Sequence, residues 1–129
     1  MAAFDAVLFV KNLGHVAEFY RRVLESTPVA VSESIVEVRL GASRLVLHAI
    51  PAHIAETFAI AVPPVRREDS AIKLSFEVES LSRCRAAAAE AGGSVDAVER
   101  EWEADGRRHA DGADPEGNVV QFHMSVRER

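Results

Sequence analysis

The strongest constraint on the fold is an internal repeat. Phe4–Leu13 reads FDAVLFVKNL, and Ile72–Leu81 reads IKLSFEVESL. Each segment alternates apolar and polar residues, as a half-buried strand does, then reaches a short polar residue and a leucine. Superposition pairs Asp5 with Lys73, Leu8 with Phe76, Val10 with Val78, Asn12 with Ser80 and Leu13 with Leu81. Asn12 and Ser80 are both good helix N-caps, because a short polar side chain accepts from the free N–H groups of a first turn. After the first cap, Leu13, Val16, Tyr20, Val23 and Leu24 recur at helical spacing, and Thr27-Pro28 ends the helix. After the second, Leu81, Cys84, Ala88 and Ala91 form a thinner stripe that Gly92-Gly93 terminates. Cys84 in that stripe reads as a small core residue.

Three short strands are expected after each helix. They fall near Val29–Ser32, Ile35–Leu40 and Arg44–Ile50, then near Val95–Arg100, Arg107–Ala113 and Asn118–Ser125. The last pair is joined by Asp114-Pro-Glu-Gly-Asn118. Here Asp-Pro presets a turn and Gly117 supplies a backbone that other residues reach only with strain. The order is therefore βαβββ, a linker and βαβββ, with modules over about 1–50 and 70–127 and a linker over 51–69. The linker carries three prolines and the run RRED. Its AHIAETFAIAV stretch reads equally as a short helix or an extended arm. One module alone buries too little surface to be stable, so the two halves are expected to pack as a single α+β domain over 1–129.

Bulk properties narrow the partners. With 129 residues, 48% of them hydrophobic, the chain is long and apolar enough for one core. A net charge of −5 without a basic stripe argues against nucleic acid. The opening MAAFDAVLFVKNLG has neither a charged leader nor a long apolar run, so no membrane partner is expected. A single cysteine excludes an intramolecular disulfide and suits a cytoplasmic location.

The repeat, the opening VKNLGHVAEFYRRVL and the turn DPEGN together resemble the vicinal oxygen chelate family. That family includes glyoxalase I, bleomycin- and fosfomycin-resistance proteins and extradiol dioxygenases. The resemblance covers nearly the whole chain and implies a half-open cup of curved sheet, often completed across a homodimer. It also implies a divalent metal held from the first and last strands of each module. Carried onto this chain, those positions are Asp5, a residue near Val46, Lys73 and Gln121. Valine has no donor, and a lysine ammonium repels a cation, so no metal and no cofactor are expected there. Asp5 and Lys73 are expected instead to pair with each other or to share a polar ligand group; the alternative is that Lys73 reaches solvent.

The remaining candidates follow from strand alternation. Val7, Phe9, Ser75, Val119, Gln121 and His123 should face the cup. His48 and His123 are equivalents in the two modules, and His109 lies on the strand before DPEGN. These histidines read as hydrogen-bonded wall residues; the alternative is a displaced metal site of His48, His123 and either Asp5 or His109. Trp102, the sole tryptophan, reads as a stacking wall or as a lid over the core. Arg107 and Arg108 read as a solvated pair, or one of them as a clamp for a ligand carboxylate or phosphate. His15 and His53 read as surface residues. The expected ligand-binding set is Asp5, Phe9, His48, Lys73, Trp102, His109, Gln121 and His123. No catalytic residue is assigned, and no GxSxG elbow marks a nucleophile. The expectation is a small-molecule binder resembling the bleomycin-resistance branch. The alternative is a metal-dependent glyoxalase- or dioxygenase-type enzyme using the shifted histidines.

Overall fold

A computed structural model describes residues 2–126. The outer limits expected for the two modules, Met1 and Arg127, lie outside the described residues. The first repeat is β1 (Asp5–Val10), α1 (Leu13–Leu24), β2 (Val29–Ala30), β3 (Ile35–Leu40) and β4 (Ser43–Ala49). A single turn, α2 (Ala52–Ala55), opens the linker. Of the two forms open to this stretch, the helix is realised only there. The second repeat is β5 (Leu74–Glu77), α3 (Leu81–Glu90), β6 (Ser94–Val95), β7 (Trp102–Ala104), β8 (Arg107–Ala113) and β9 (Val119–Ser125).

Both helices start where a side chain captures their first turn. Asn12 accepts from the His15 N–H and Ser80 from the Arg83 N–H, each at 3.1 Å. Helix α1 ends at Glu25, whose left-handed backbone (φ 52°) turns its N–H onto the Arg21 carbonyl. Its buried face is Val16, Phe19, Tyr20 and Val23, the spacing of one helical stripe.

Each repeat forms its own open sheet with the same topology. The orders are β1-β4-β3-β2 and β5-β9-β8-β6, with β7 added on β8. In each, the first strand runs parallel to the last, and the remaining pairs are antiparallel. The fold is thus a single α+β domain with two open sheets. One expected strand is not continuous. The stretch 95–100 pairs only through β6, then bends into a turn of 3-10 helix at Val98–Arg100 before β7 begins. The bend delivers Glu101 between Arg85 and Arg108, where its side chain is 4% exposed.

One core joins the halves. Val10, Val38, Leu45 and Leu47 of the first sheet belong to the same buried cluster as Phe76, Val120 and Phe122 of the second. Tyr20 packs on Phe76, with ring centroids 5.9 Å apart. Gly93, just past α3, is wedged between α1 and β8: a Cβ there would lie 2.3 Å from the Phe19 ring and 2.4 Å from the Ala113 carbonyl oxygen, so only glycine fits. Cys84 is 3% exposed, and burial pushes its thiol up to about 12, so it is an unreactive core residue.

The DPEGN turn fastens one repeat to the other. Asp114, fully buried, accepts the Tyr20 hydroxyl at 2.8 Å, the Glu116 and Asn118 N–H groups, and the Asn118 amide at 2.9 Å. Glu116, also buried, accepts the Lys11 N–H at 2.8 Å and the Asn12 N–H at 2.7 Å, holding the β1–α1 junction. Gly117 takes φ 85° and sits under the linker, where a Cβ would lie 2.1 Å from the Val65 carbonyl oxygen. The Arg67 N–H bonds the Gly117 carbonyl at 2.8 Å and straps the linker down.

Two predictions follow from this packing. Hydrogen bonds to a charged acceptor contribute roughly 1.5–3 kcal/mol each. Tyr20→Phe keeps the ring and should therefore lose about that amount in urea unfolding, and Glu116→Ala at least as much. A loss below about 0.5 kcal/mol in both would contradict the clamp. The second prediction concerns acid. Burial alone would raise the Glu101 carboxyl, but hydrogen bonds from Arg85 and Arg108 outweigh it and hold it below its ordinary 4.5. A depressed folded value means stability that is present above 4.5 and lost as pH falls through the folded value. Glu101→Gln should lower stability at neutral pH and flatten this acid limb; an unchanged limb would show that the carboxylate is not its source.

Candidate functional site

Strand alternation gives each sheet a face turned away from the helices. On the second sheet the register arranges that face in rows. Ser75, Gln121 and Asp111 form one row, and Glu77, His123, His109 and Trp102 the next; Ser125, Arg107 and Ala104 follow. The first row anchors the second. Lys73 Nζ lies 3.1 and 3.2 Å from the Asp111 carboxylate oxygens. The Gln121 amide points Nε2 at Asp111, 3.5 Å away. That contact is weak, but the reverse orientation would set two oxygens against each other. Gln121 Oε1 therefore accepts the Ser75 hydroxyl at 2.9 Å and faces His109 Nδ1 at 3.3 Å.

This arrangement sets the His123 tautomer. With its hydrogen given to Gln121, the Ser75 oxygen accepts from His123 Nδ1 at 2.9 Å. His123 Nε2 is left as the lone-pair nitrogen. Burial, with added repulsion from Arg107 and His109, lowers the imidazole below its ordinary 6.5, so His123 is neutral at pH 7. The indole of Trp102 stacks on His109 at 5.4 Å and 12° and remains 38% exposed. Trp102 stands at the start of strand β7 rather than in a loop, and outside the buried core cluster. A cavity of about 440 Å³ opens beside this face, lined by Arg44 of the first sheet and Ser75, Glu77 and His123 of the second.

The first sheet presents a different face. Asp5 lies 2.6 Å from the Arg44 guanidinium, which also reaches Glu37 at 2.7 Å; Arg39 approaches Glu37 at 3.4 Å. The Arg44 hydrogen bond keeps the Asp5 carboxyl below its ordinary value. Phe9 tilts over His48 at 5.2 Å, and His48 Nδ1 lies 3.0 Å from the Ala49 carbonyl oxygen. Val7 and Phe9 are more than half exposed.

The eight expected site residues therefore divide. Lys73, Trp102, His109, Gln121 and His123 share one face; Asp5, Phe9 and His48 share the other. The expected Asp5–Lys73 ion pair does not form. Each charge finds a nearer partner within its own sheet: Arg44 directly opposite Asp5 in the β1–β4 register, and Asp111 beside Lys73. Lys73 is neither free nor buried, with its side chain 42% exposed in the pair. A metal centre of His48 and His123 with either Asp5 or His109 is not assembled: Asp5 and His48 belong to the first sheet, His109 and His123 to the second. Among the described residues no three His, Cys, Asp or Glu side chains converge as ion ligands. The positions where the resemblance implies metal ligands fit an ion poorly: Asp5 is committed to Arg44, Val46 has no donor, Lys73 is a cation, and Gln121 Oε1 is already shared. The residues overlooked from sequence are Asp111 and Arg44. Asp111 is spaced two from His109, so the alternation in HAD was a usable signal; Arg44 gave none beyond its place at a strand start.

Comparison with known proteins agrees with the topology. The glyoxalase-like domain family matches residues 2–123. A glyoxalase/bleomycin resistance protein/dioxygenase family enzyme from Burkholderia phytofirmans has the same fold, with a TM-score of 0.68 at 17% identity, covering 95% of this chain and 97% of that one. A glyoxalase/bleomycin resistance protein from Albidiferax ferrireducens gives 0.66 at 21%, covering 93% and 95%. A virulence protein from Salmonella typhimurium gives 0.63 at 20%, covering 98% of each. No curated protein matches the chain. With the family pattern spanning both repeats, the chain belongs to the glyoxalase-like domain family of the vicinal oxygen chelate group.

Proposed function

We propose that this protein binds a small polar, partly aromatic molecule on the helix-distal faces of its sheets, without the metal that the family's enzymes use. The observation that carries this reading is the second sheet's network from Lys73 through Asp111, Gln121 and Ser75 to His123, beside a stacked and accessible Trp102. Such a floor offers donors, acceptors and an aromatic surface, which is what orientation of a ligand requires. Sequestration needs affinity alone, and the bleomycin-resistance name carried by structural relatives fits that use. The same reading has the chain acting as a cytoplasmic homodimer, with resistance to a toxic small molecule as its outcome.

The donor set argues against the ion-dependent alternative. An ion at the family's position would have to displace Arg44 from Asp5 and tolerate the Lys73 ammonium. Repulsion between a divalent ion and a nearby ammonium is unfavourable even when partly screened by solvent.

A panel of glycopeptide, quinone, aldehyde-adduct and fosfomycin-type compounds, read by thermal shift and by Trp102 fluorescence, tests the proposal. At least one class should raise the melting temperature and change the emission, and Lys73→Met should weaken its binding by about tenfold, the equivalent of one modest polar contact. A flat panel, or a stoichiometric divalent metal in protein purified without chelator, would refute it.

A further inference from the structure

Among the described residues, one strand cation on these faces has no ion-pair or hydrogen-bond partner. Arg39, Arg44 and Lys73 are each paired with a carboxylate. Arg108, on the opposite pleat, is held by Glu101 and Glu103. Arg107 is exposed and makes no ion pair or side-chain hydrogen bond among the described residues. It shares its face with His109 and His123, and it is close enough to His123 to depress the imidazole.

Its placement relative to the aromatic wall is set by register. Arg107 lies opposite Ala104, and His109 lies opposite Trp102. The Arg107 Cα thus lies one row beyond the Trp102–His109 pair, about 7 Å along the strand at two residues of ~3.4 Å each, and its long side chain can reach the edge of a ring laid on the indole. The small Ala104 side chain leaves the space beside Arg107 open. A flat ring on the indole carrying a carboxylate at its edge spans that distance, and a guanidinium receives a carboxylate through two parallel N–H bonds. Glu77 sets the other limit. It lies on the His123 row, also without an ion-pair partner among the described residues, so a second negative charge directed across His123 would meet a carboxylate.

We infer that the ligand of this face is a planar aromatic monocarboxylate, its ring laid along Trp102 and its carboxylate clamped by Arg107. This rests on the binding function proposed above and specifies its ligand class.

Naphthoate, naphthamide and a naphthalene dicarboxylate serve as probes, titrated into the full chain by calorimetry at millimolar concentration. Naphthoate should bind about tenfold more tightly than the neutral amide, the loss expected from one charge-assisted contact. The dicarboxylate should bind more weakly than the monoanion. Arg107→Gln, at an exposed position and checked for an unchanged melting temperature, should abolish the preference for naphthoate and leave amide binding unchanged. Arg21→Gln, on α1 and so on the helix side of the sheets, should keep the preference. Equal binding of acid and amide, or a preference that survives Arg107→Gln, overturns the carboxylate assignment. If amide or panel compounds still bind in a Lys73-dependent way, the binding function stands and only the ligand class falls. If no probe and no panel compound binds, both fall.

Discussion

Two buried carboxylates in one turn hold this structure together. Asp114 and Glu116 lie in the second repeat, yet their acceptors are filled by Tyr20, Lys11 and Asn12 of the first. A buried carboxylate is costly unless its oxygens are fully used. Here the oxygens are used, and every donor comes from a backbone or side chain that the turn itself or the opposite repeat supplies. Burial still pushes the Asp114 carboxyl up against the four hydrogen bonds that favour its charge. The turn is stable only while both repeats are in place, which makes the two halves one cooperative unit.

That clamp explains why the site faces are polar without being disordered. It ties the start of α1 to the second sheet, and α1 packs on α3 on one side of the sheets, so the opposite faces are left open to solvent. On the first sheet the charges pair locally, through Asp5, Arg44, Glu37 and Arg39, beside the exposed apolar side chains of Val7 and Phe9. On the second sheet a hydrogen-bonded row fixes an imidazole tautomer, and the Arg107 guanidinium has no partner among the described residues. The two faces are products of one duplicated topology, and their chemistry has diverged.

Much of the architecture was readable from residues alone. The duplicated strand–cap–helix segment identified both repeats, and strands β3 and β8 coincide with the alternating stretches Ile35–Leu40 and Arg107–Ala113. Local pattern sufficed there because each strand has one buried face. It failed at 95–100, where a buried carboxylate between two arginines, a long-range arrangement, breaks the strand. The site was legible in its alternation: Lys73, His109, Gln121 and His123 do share a face with Trp102. Its pairing was not. Repeat symmetry placed Asp5 against Lys73, but partners are chosen by register between neighbouring strands. Asp5 faces Arg44 only because β1 runs parallel to β4, and no local signal reports that.

Native-state hydrogen exchange at the Lys11 and Asn12 amides tests the cooperative clamp most directly. These N–H groups bond no backbone acceptor of their own repeat, only the Glu116 carboxylate. If that carboxylate unites the repeats, both amides exchange with the same opening free energy as the Phe122 amide in the central strand of the other sheet. Fast local exchange at Lys11 and Asn12 while Phe122 stays protected would contradict the account.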